Sequence, residues 1–204
     1  MMQALSPFIR PAAIAAAALA LSSLQAQAAN FSFDGDLAYN TDVVQVAFTL
    51  NAASSQVRLW TDSWTDGLNF DPTLTLWIKD GSGYNLVGDN DDDHTIGPAQ
   101  GFYDAGLSLA TLMAGQYLVT LGAAPNYANG TQLSQGFALD GSTPTLISQW
   151  MQPSYNVNAN DQKGTFWRLN LSGVDTATTV PEPATAALIL AGLSAMLLSR
   201  RRMS

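Results

Sequence analysis

Short runs in which apolar and polar residues alternate one by one recur along the central part of this chain. From Val44 to Leu50, for example, every second residue is a large apolar one. Successive side chains of a β-strand point to opposite faces, so this period fits a strand with one buried face. The same alternation occurs in four further runs, at residues 57–61, 74–78, 117–121 and 167–171. The chain must therefore fold mainly by pairing short strands.

Turn-forming residues separate these runs. The clusters DGSG, DNDDD and APNYANG occupy residues 80–83, 89–93 and 124–130. Short strands, frequent turns and almost no helical period predict an all-β fold, an antiparallel β-sandwich or jelly roll. We expect an entry strand and loop within residues 30–42, while residues 107–113 fit either a helical turn or a strand edge.

The predicted sandwich domain covers residues 29–171. After it, residues 172–179 read SGVDTATT, which are small and polar. Such a composition predicts a flexible linker, with an ordinary domain end as the alternative.

The N-terminus has the features of an export signal. Arg10 precedes an apolar run from Pro11 to Leu24, and Ala26-Gln27-Ala28 supplies the small-x-small pattern of a cleavage site. We therefore predict a signal peptide at residues 1–28 and export of the protein. The alternative is an N-terminal membrane anchor, but the apolar run is shorter than the roughly 18 to 20 residues that span a bilayer.

The charge of the chain is strongly acidic. Sixteen acidic residues oppose eight basic ones, for a net charge of −8, which argues against a nucleic-acid partner. Every acidic residue except Glu182 is aspartate, a residue that favours turns and binds calcium. The chain has no cysteine. An exported domain without disulfides must be held by its core, by metal, or by both.

The chain has one histidine and no cysteine, which limits the catalytic sites that it could form. His94 is the one histidine, so a Ser-His-Asp triad could form only inside an acidic loop. A zinc site would need a second imidazole or a thiolate. Paired aspartates could still serve a glycosidase. We predict a protein that is not an enzyme, with a secreted glycan-active enzyme using Asp residues and a protein-interaction or adhesion module as the alternatives.

The acidic loop is the strongest candidate for a ligand site. Asp89, Asp91 and Asp93 alternate within it. Carboxylates about 6 Å apart repel by roughly 2–3 kcal/mol per pair at an effective dielectric near 20. Ca²⁺, which takes roughly six to eight oxygen ligands, would offset that repulsion, although the loop lacks the EF-hand glycine. The alternative is an acidic turn whose side chains spread apart in water.

The C-terminus combines three parts. An uncharged apolar stretch at residues 184–199 predicts one short transmembrane helix, and the positive-inside rule places the arginines after it in the cytoplasm and the domain outside. The flanking residues are Val180, Pro181, Glu182 and Pro183 before the stretch, and Arg200, Arg201 and Arg202 after it.

These parts, in this order, resemble the PEP-CTERM sorting signal of Gram-negative bacteria that make exopolysaccharide. The resemblance implies that an exosortase-type membrane protease recognises residues 180–204. It also implies at least transient attachment to the membrane through the tail, and sorting to the cell envelope, the cell surface or the extracellular space. A plain membrane tail is the alternative.

Residues 41–122 resemble the bacterial pre-peptidase C-terminal domain, a small jelly-roll-like sandwich. The matching patterns are Asp-Pro-x-Leu-x-Leu at residues 71–76, Asp-Ala-x-Leu at 104–107 and Ala-Gly-x-Tyr-x-Val at 114–119, with the acidic loop between the first two. The resemblance implies no catalytic activity and, in some members, calcium at the loop. The implied ligands are Asp89, Asp91 and Asp93, with Asp71 and Asp104 contributing from neighbouring strand ends.

Two tryptophans suggest a glycan ligand. Trp60 and Trp77 lie next to Leu59 and Leu76 in alternating runs, so we expect them on the opposite, outward faces of their strands. Exposed aromatic rings can stack on sugars; the alternative is that residues 123–171 cover both rings. The sequence as a whole predicts an exported, non-catalytic surface or matrix protein, associated with exopolysaccharide and stabilised by calcium.

Overall fold

The computed structural model describes residues 29–152 and 163–181. The signal peptide predicted at residues 1–28 and the transmembrane helix predicted at 184–199 lie outside these ranges. Within them the strands are β1 (Ala29–Asp36), β2 (Val44–Leu50), β3 (Val57–Thr61), β4 (Pro72–Asp80), β5 (Gly83–Asn90), β6 (Gly106–Leu109), β7 (Gly115–Ala123), β8 (Phe166–Val174) and β9 (Thr176–Thr179). Three single 3₁₀ turns occur at Thr65–Gly67, Leu133–Gln135 and Ile147–Gln149.

The strands form two antiparallel sheets. One sheet has the order β1-β8-β3-β6, and the other has the order β5-β4-β7-β2-β9. Neighbouring strands in both sheets run antiparallel. The all-β, sandwich-like fold predicted from the alternating runs is confirmed. No helix among the described residues has the length and apolar character needed to cross a membrane.

The core lies between the inner faces of the two sheets. On β2 and β7, Phe48 and Tyr117 stack with ring centroids 5.0 Å apart. Leu59 on β3 and Leu171 on β8 come from the other sheet and are fully buried in the same cluster. Each of these residues belongs to an alternating run, so the period of two marks the buried face as expected.

The predicted flexible linker is wrong. Residues 172–174 complete β8, and Thr176–Thr179 form β9, which pairs with β2 from Val46↔Thr179 to Thr49↔Thr176. Threonine favours extended backbone on a pleated surface, so a small polar segment can still form an edge strand. The turn into β9 is fixed because the Asn51 amide donates to Asp175 Oδ2 at 2.7 Å.

Two further strands were not resolved by the sequence pattern. In β5 the alternation is weak because Gly83, Asn85 and Gly88 interrupt it, and the turn clusters predicted at residues 80–83 and 89–93 overlap its two ends. Residues 107–113, left open between helix and strand, begin with β6 and continue as loop. These two strands lie at sheet edges, where burial imposes less alternation.

Gly173 supplies a test of the strand geometry near the end of β8. Its φ of 81° is in the left-handed region, and a Cβ at this position would collide with the backbone of Gln56. We expect Gly173→Ala to lower the free energy of unfolding by at least about 1–2 kcal/mol, the cost of a non-glycine residue in this conformation. Urea unfolding followed by tryptophan fluorescence measures the change.

The matched control is Gly83→Ala. A Cβ on Gly83 would lie 3.9 Å from the Asp80 carbonyl oxygen, an ordinary contact, and the φ of Gly83 is not in the left-handed region. Equal unfolding midpoints for the two variants would contradict the strand geometry at Gly173.

Candidate metal site

Three carboxylates converge at one end of the five-stranded sheet. Oxygens of Asp71, Asp91 and Asp92 all lie within 4.8 Å of one another. Asp71 immediately precedes β4, and the other two immediately follow β5. Because β4 and β5 pair antiparallel, the start of β4 and the end of β5 lie side by side at the same end of the sheet. The pairing therefore brings together acids that are distant in the sequence.

Burial makes the charged state of this group unfavourable. Asp71 is 3% exposed, and Asp91 is partly buried. Burial raises the pKa of Asp91 above its usual range, although the hydrogen bond from Tyr127 opposes the shift. Burial and then the charge of Asp91 raise the pKa of Asp92 to about 6. A cation would reverse both effects, because it stabilises the ionised carboxylates.

One oxygen of Asp91 is left for a ligand. Its Oδ2 accepts a hydrogen bond from the Tyr127 hydroxyl at 2.7 Å. Its Oδ1 is buried and has no hydrogen-bond partner in the described part of the chain. Burial, and then the neighbouring Asp91, raise the pKa of Tyr127, so the hydroxyl stays protonated and remains a donor. A buried acceptor without a partner costs about 1–3 kcal/mol, which a bound cation would offset.

Gln152 holds the backbone around this group. Its Oε1 accepts from the Asp71 amide at 2.8 Å, while its Nε2 donates to the carbonyls of Asp71 and Ala124 at 2.9 and 2.8 Å. The start of β4 is thereby tied to the loop that carries Tyr127. The sequence contains no pattern that marks Gln152 or Tyr127, since both act through long-range contacts.

The group contains two of the five predicted ligands, Asp71 and Asp91, and adds Asp92. Asp89 is exposed on β5, opposite Thr75. Asp93 closes a local turn, because its Oδ1 accepts from the amide and hydroxyl of Thr95 at 3.0 and 2.6 Å. Asp89 and Asp93 therefore lie outside the group, since β5 ends at Asn90 and the chain then turns.

Asp104 is a structural residue and is not part of the group. Its Oδ1 accepts from the Thr61 hydroxyl and from two backbone amides, at 2.8 to 3.1 Å, and its Oδ2 accepts from the Gly101 amide at 2.7 Å. The side chain is fully buried. Both oxygens therefore hold the loop after β3 against the loop before β6, which corrects the predicted role as a calcium ligand.

The two tryptophans do not offer a surface to a sugar. Trp77 is 0% exposed, and its indole N–H donates to the Thr120 hydroxyl at 3.0 Å. Trp60 is 9% exposed and lies against Gly97. Both rings are buried, so the prediction that they lie exposed for glycan stacking is wrong. Phe102, which follows the acidic loop in the sequence, is an exposed aromatic residue, and its ring stacks on His94 with centroids 5.5 Å apart.

Replacing Asp104 tests its structural role. In Asp104→Asn an amide nitrogen replaces one of the accepting oxygens, and the negative charge that strengthens four hydrogen bonds is lost. We expect the free energy of unfolding to fall by at least about 2 kcal/mol, measured by urea unfolding. Asp34→Asn, at an exposed position of β1, is the control and should change it by less than about 0.5 kcal/mol. Equal effects would refute the assignment.

The raised pKa of Asp92 predicts how stability depends on pH without metal. The folded state retains the Asp92 proton up to pH of about 6, whereas the unfolded chain releases it near the ordinary value of 3.8. The stabilisation from this proton is therefore complete below pH 3.8 and is lost as the pH rises through about 6.

We expect melting temperatures in EDTA to fall more steeply between these two pH values for wild type than for Asp92→Asn. The exposed Asp89→Asn is the control and should follow wild type. Identical pH profiles for wild type and Asp92→Asn would contradict the electrostatic description of the group.

Residues 179–202 match the family model of the PEP-CTERM protein-sorting motif. No curated protein matches the chain. The match confirms the sorting signal predicted at the C-terminus, and the pre-peptidase C-terminal resemblance stays a prediction. The first residues of the motif are structured, because Thr179 ends β9 and the Val180 amide donates to the Gln45 carbonyl at 2.9 Å. A chain with this motif is sorted by an exosortase-type system to the envelope or surface of a Gram-negative cell.

Proposed function

We propose that this protein is a non-catalytic component of the cell surface or extracellular matrix, and that Ca²⁺ bound by Asp71, Asp91 and Asp92 stabilises its β-sandwich. The observation that carries the proposal is the convergence of these carboxylates around a buried Asp91 oxygen without a hydrogen-bond partner among the described residues. The sorting motif supports the location outside the cytoplasm.

Calcium fits this group better than zinc or another soft metal. The three ligands are carboxylates, and hard oxygen ligands select Ca²⁺, Mg²⁺ or Mn²⁺. Mg²⁺ demands a nearly ideal octahedron, whereas Ca²⁺ accepts irregular arrangements and completes its shell with carbonyls and water. Asp92 is exposed, so water can reach the cation from that side.

The cation would act as a cross-link. It would bind the start of β4 to the end of β5, and Asp91 is already bonded to the loop of Tyr127. The chain has no cysteine, so no disulfide can perform this function. A ligand that binds only the folded state raises its stability by mass action.

An association with exopolysaccharide is the second part of the proposal. It is supported by the sorting motif and by Phe102, a residue that is 61% exposed beside the acidic loop and whose ring stacks on His94. Aromatic faces of this kind can pack on the apolar face of a sugar ring. Phe102 takes the place of the two tryptophans that the sequence suggested.

The calcium proposal is tested by calorimetric titration and thermal unfolding with Ca²⁺ or EDTA. At a free Ca²⁺ concentration of about one hundred times Kd, we expect a stabilisation of about 2.7 kcal/mol. Asp92→Asn should remove most of this stabilisation. Because Asp92 is exposed, the substitution should not disturb the fold itself. Asp89→Asn is the matched control and should bind as wild type does. Loss of binding in Asp89→Asn but not in Asp92→Asn would contradict the assigned ligands.

The glycan proposal is tested by cosedimentation with the exopolysaccharide of a host that carries the exosortase system. We expect Phe102→Ala to reduce the bound fraction. Met113→Ala is the control, since Met113 is equally exposed at 63% but has no aromatic ring. Unchanged cosedimentation of the folded Phe102→Ala variant would refute this role.

A further inference from the structure

The sorting motif begins inside the folded domain. β9 is hydrogen-bonded along β2, and the ladder continues through Val180 before Pro181 ends it, since proline has no amide hydrogen to donate. Three residues, at 181–183, then separate the sheet from the apolar stretch that starts at residue 184. Fully extended, three residues span about 10 Å. The intact domain therefore lies directly beside the segment that a membrane protease must bind.

A protease in the membrane cannot enclose residues 176–180 while β9 is paired with β2. An enzyme that binds an extended peptide pairs with its backbone and encloses its side chains. One backbone edge of β9 is already occupied by β2, and Ala177 is packed against the core. The body of the sandwich therefore blocks one side and one face of the chain up to Val180.

β9 is the described strand best suited to leave its sheet. It is an edge strand of four residues with β2 as its neighbour. Its three threonines are exposed, so its detachment uncovers little apolar surface. Short edge segments with few buried contacts open locally far more often than the rest of a protein.

We propose that β9 is part of the segment bound by the processing membrane protease, and that β9 must separate from β2 before the tail can be removed. This inference rests on the proposed sorting by an exosortase-type system. The partner is a membrane-embedded protease that recognises the extended, uncharged Thr-Ala-Thr-Thr-Val segment at residues 176–180, which the Pro-Glu-Pro motif follows.

A disulfide between β9 and β2 tests the proposal. Ala47 and Thr178 are antiparallel partners, and such pairs lie about 4.5–5.5 Å apart at Cα, within disulfide range. Because the chain has no cysteine, Ala47→Cys/Thr178→Cys can form one intramolecular disulfide. The full chain is expressed in a Gram-negative host with an active exosortase, and tail removal is followed by gel mobility and mass spectrometry with and without reductant.

We expect the disulfide-bonded chain to keep its tail and the reduced chain to lose it. The single variants Ala47→Cys and Thr178→Cys should be processed as wild type is. Ser32→Cys/Asn170→Cys links β1 to β8 at another antiparallel pair and controls for a general effect of a disulfide. Asp175→Ala removes the hydrogen bond to Asn51 and should speed tail removal, because it loosens β9 without changing the matched motif.

Two results would overturn the inference in different ways. Tail removal from the disulfide-bonded chain at the wild-type rate would show that β9 does not control access. Retention of the tail by the wild-type chain would instead show that this host does not process the protein, and the proposed sorting would fail together with the inference.

Discussion

The burial of alternate side chains between two antiparallel sheets is the constraint on which the rest of this structure depends. It sets the inner faces of the two sheets through residues such as Phe48, Leu59 and Leu171. Since the chain contains no cysteine, this packing and the loops that fold over it must hold the domain together. The acidic group and the start of the sorting motif are both placed by the pairing of strands at sheet edges.

The two outermost strands of the five-stranded sheet, β5 and β9, have different roles. At the β4–β5 end, pairing brings carboxylates together, burial raises the pKa values of Asp91 and Asp92, and the proposed cation would stabilise their ionised forms. At the β9 edge, pairing partly shelters a processing signal behind a short and weakly buried strand. Stability at the first edge and release at the second are compatible, because β4 and β7 lie between β5 and β2 in the sheet.

The fold class and the sorting motif could be predicted from the sequence, because both depend on local patterns. The fold class follows from the period of two, and the motif from three segments in a fixed order. The sequence was insufficient for the site. Asp91 and Asp71 were predicted, but Asp92 was missed in favour of Asp93, since the end of β5 cannot be read from a loop of five acidic or amide residues. Tyr127 and Gln152 are placed by tertiary contacts that leave no local signal. The burial of Trp60 and Trp77 depends on tertiary packing, which the strand pattern does not specify.

The most direct test of the central claim is the position of the cation itself. Crystals grown with Ca²⁺, and with Mn²⁺ as an anomalous scatterer in its place, would locate it in an anomalous difference map. We expect a peak in contact with carboxylate oxygens of Asp71, Asp91 and Asp92, including the buried Oδ1 of Asp91. A peak at Asp89 and Asp93 instead, or no peak between the three carboxylates at saturating metal, would contradict it.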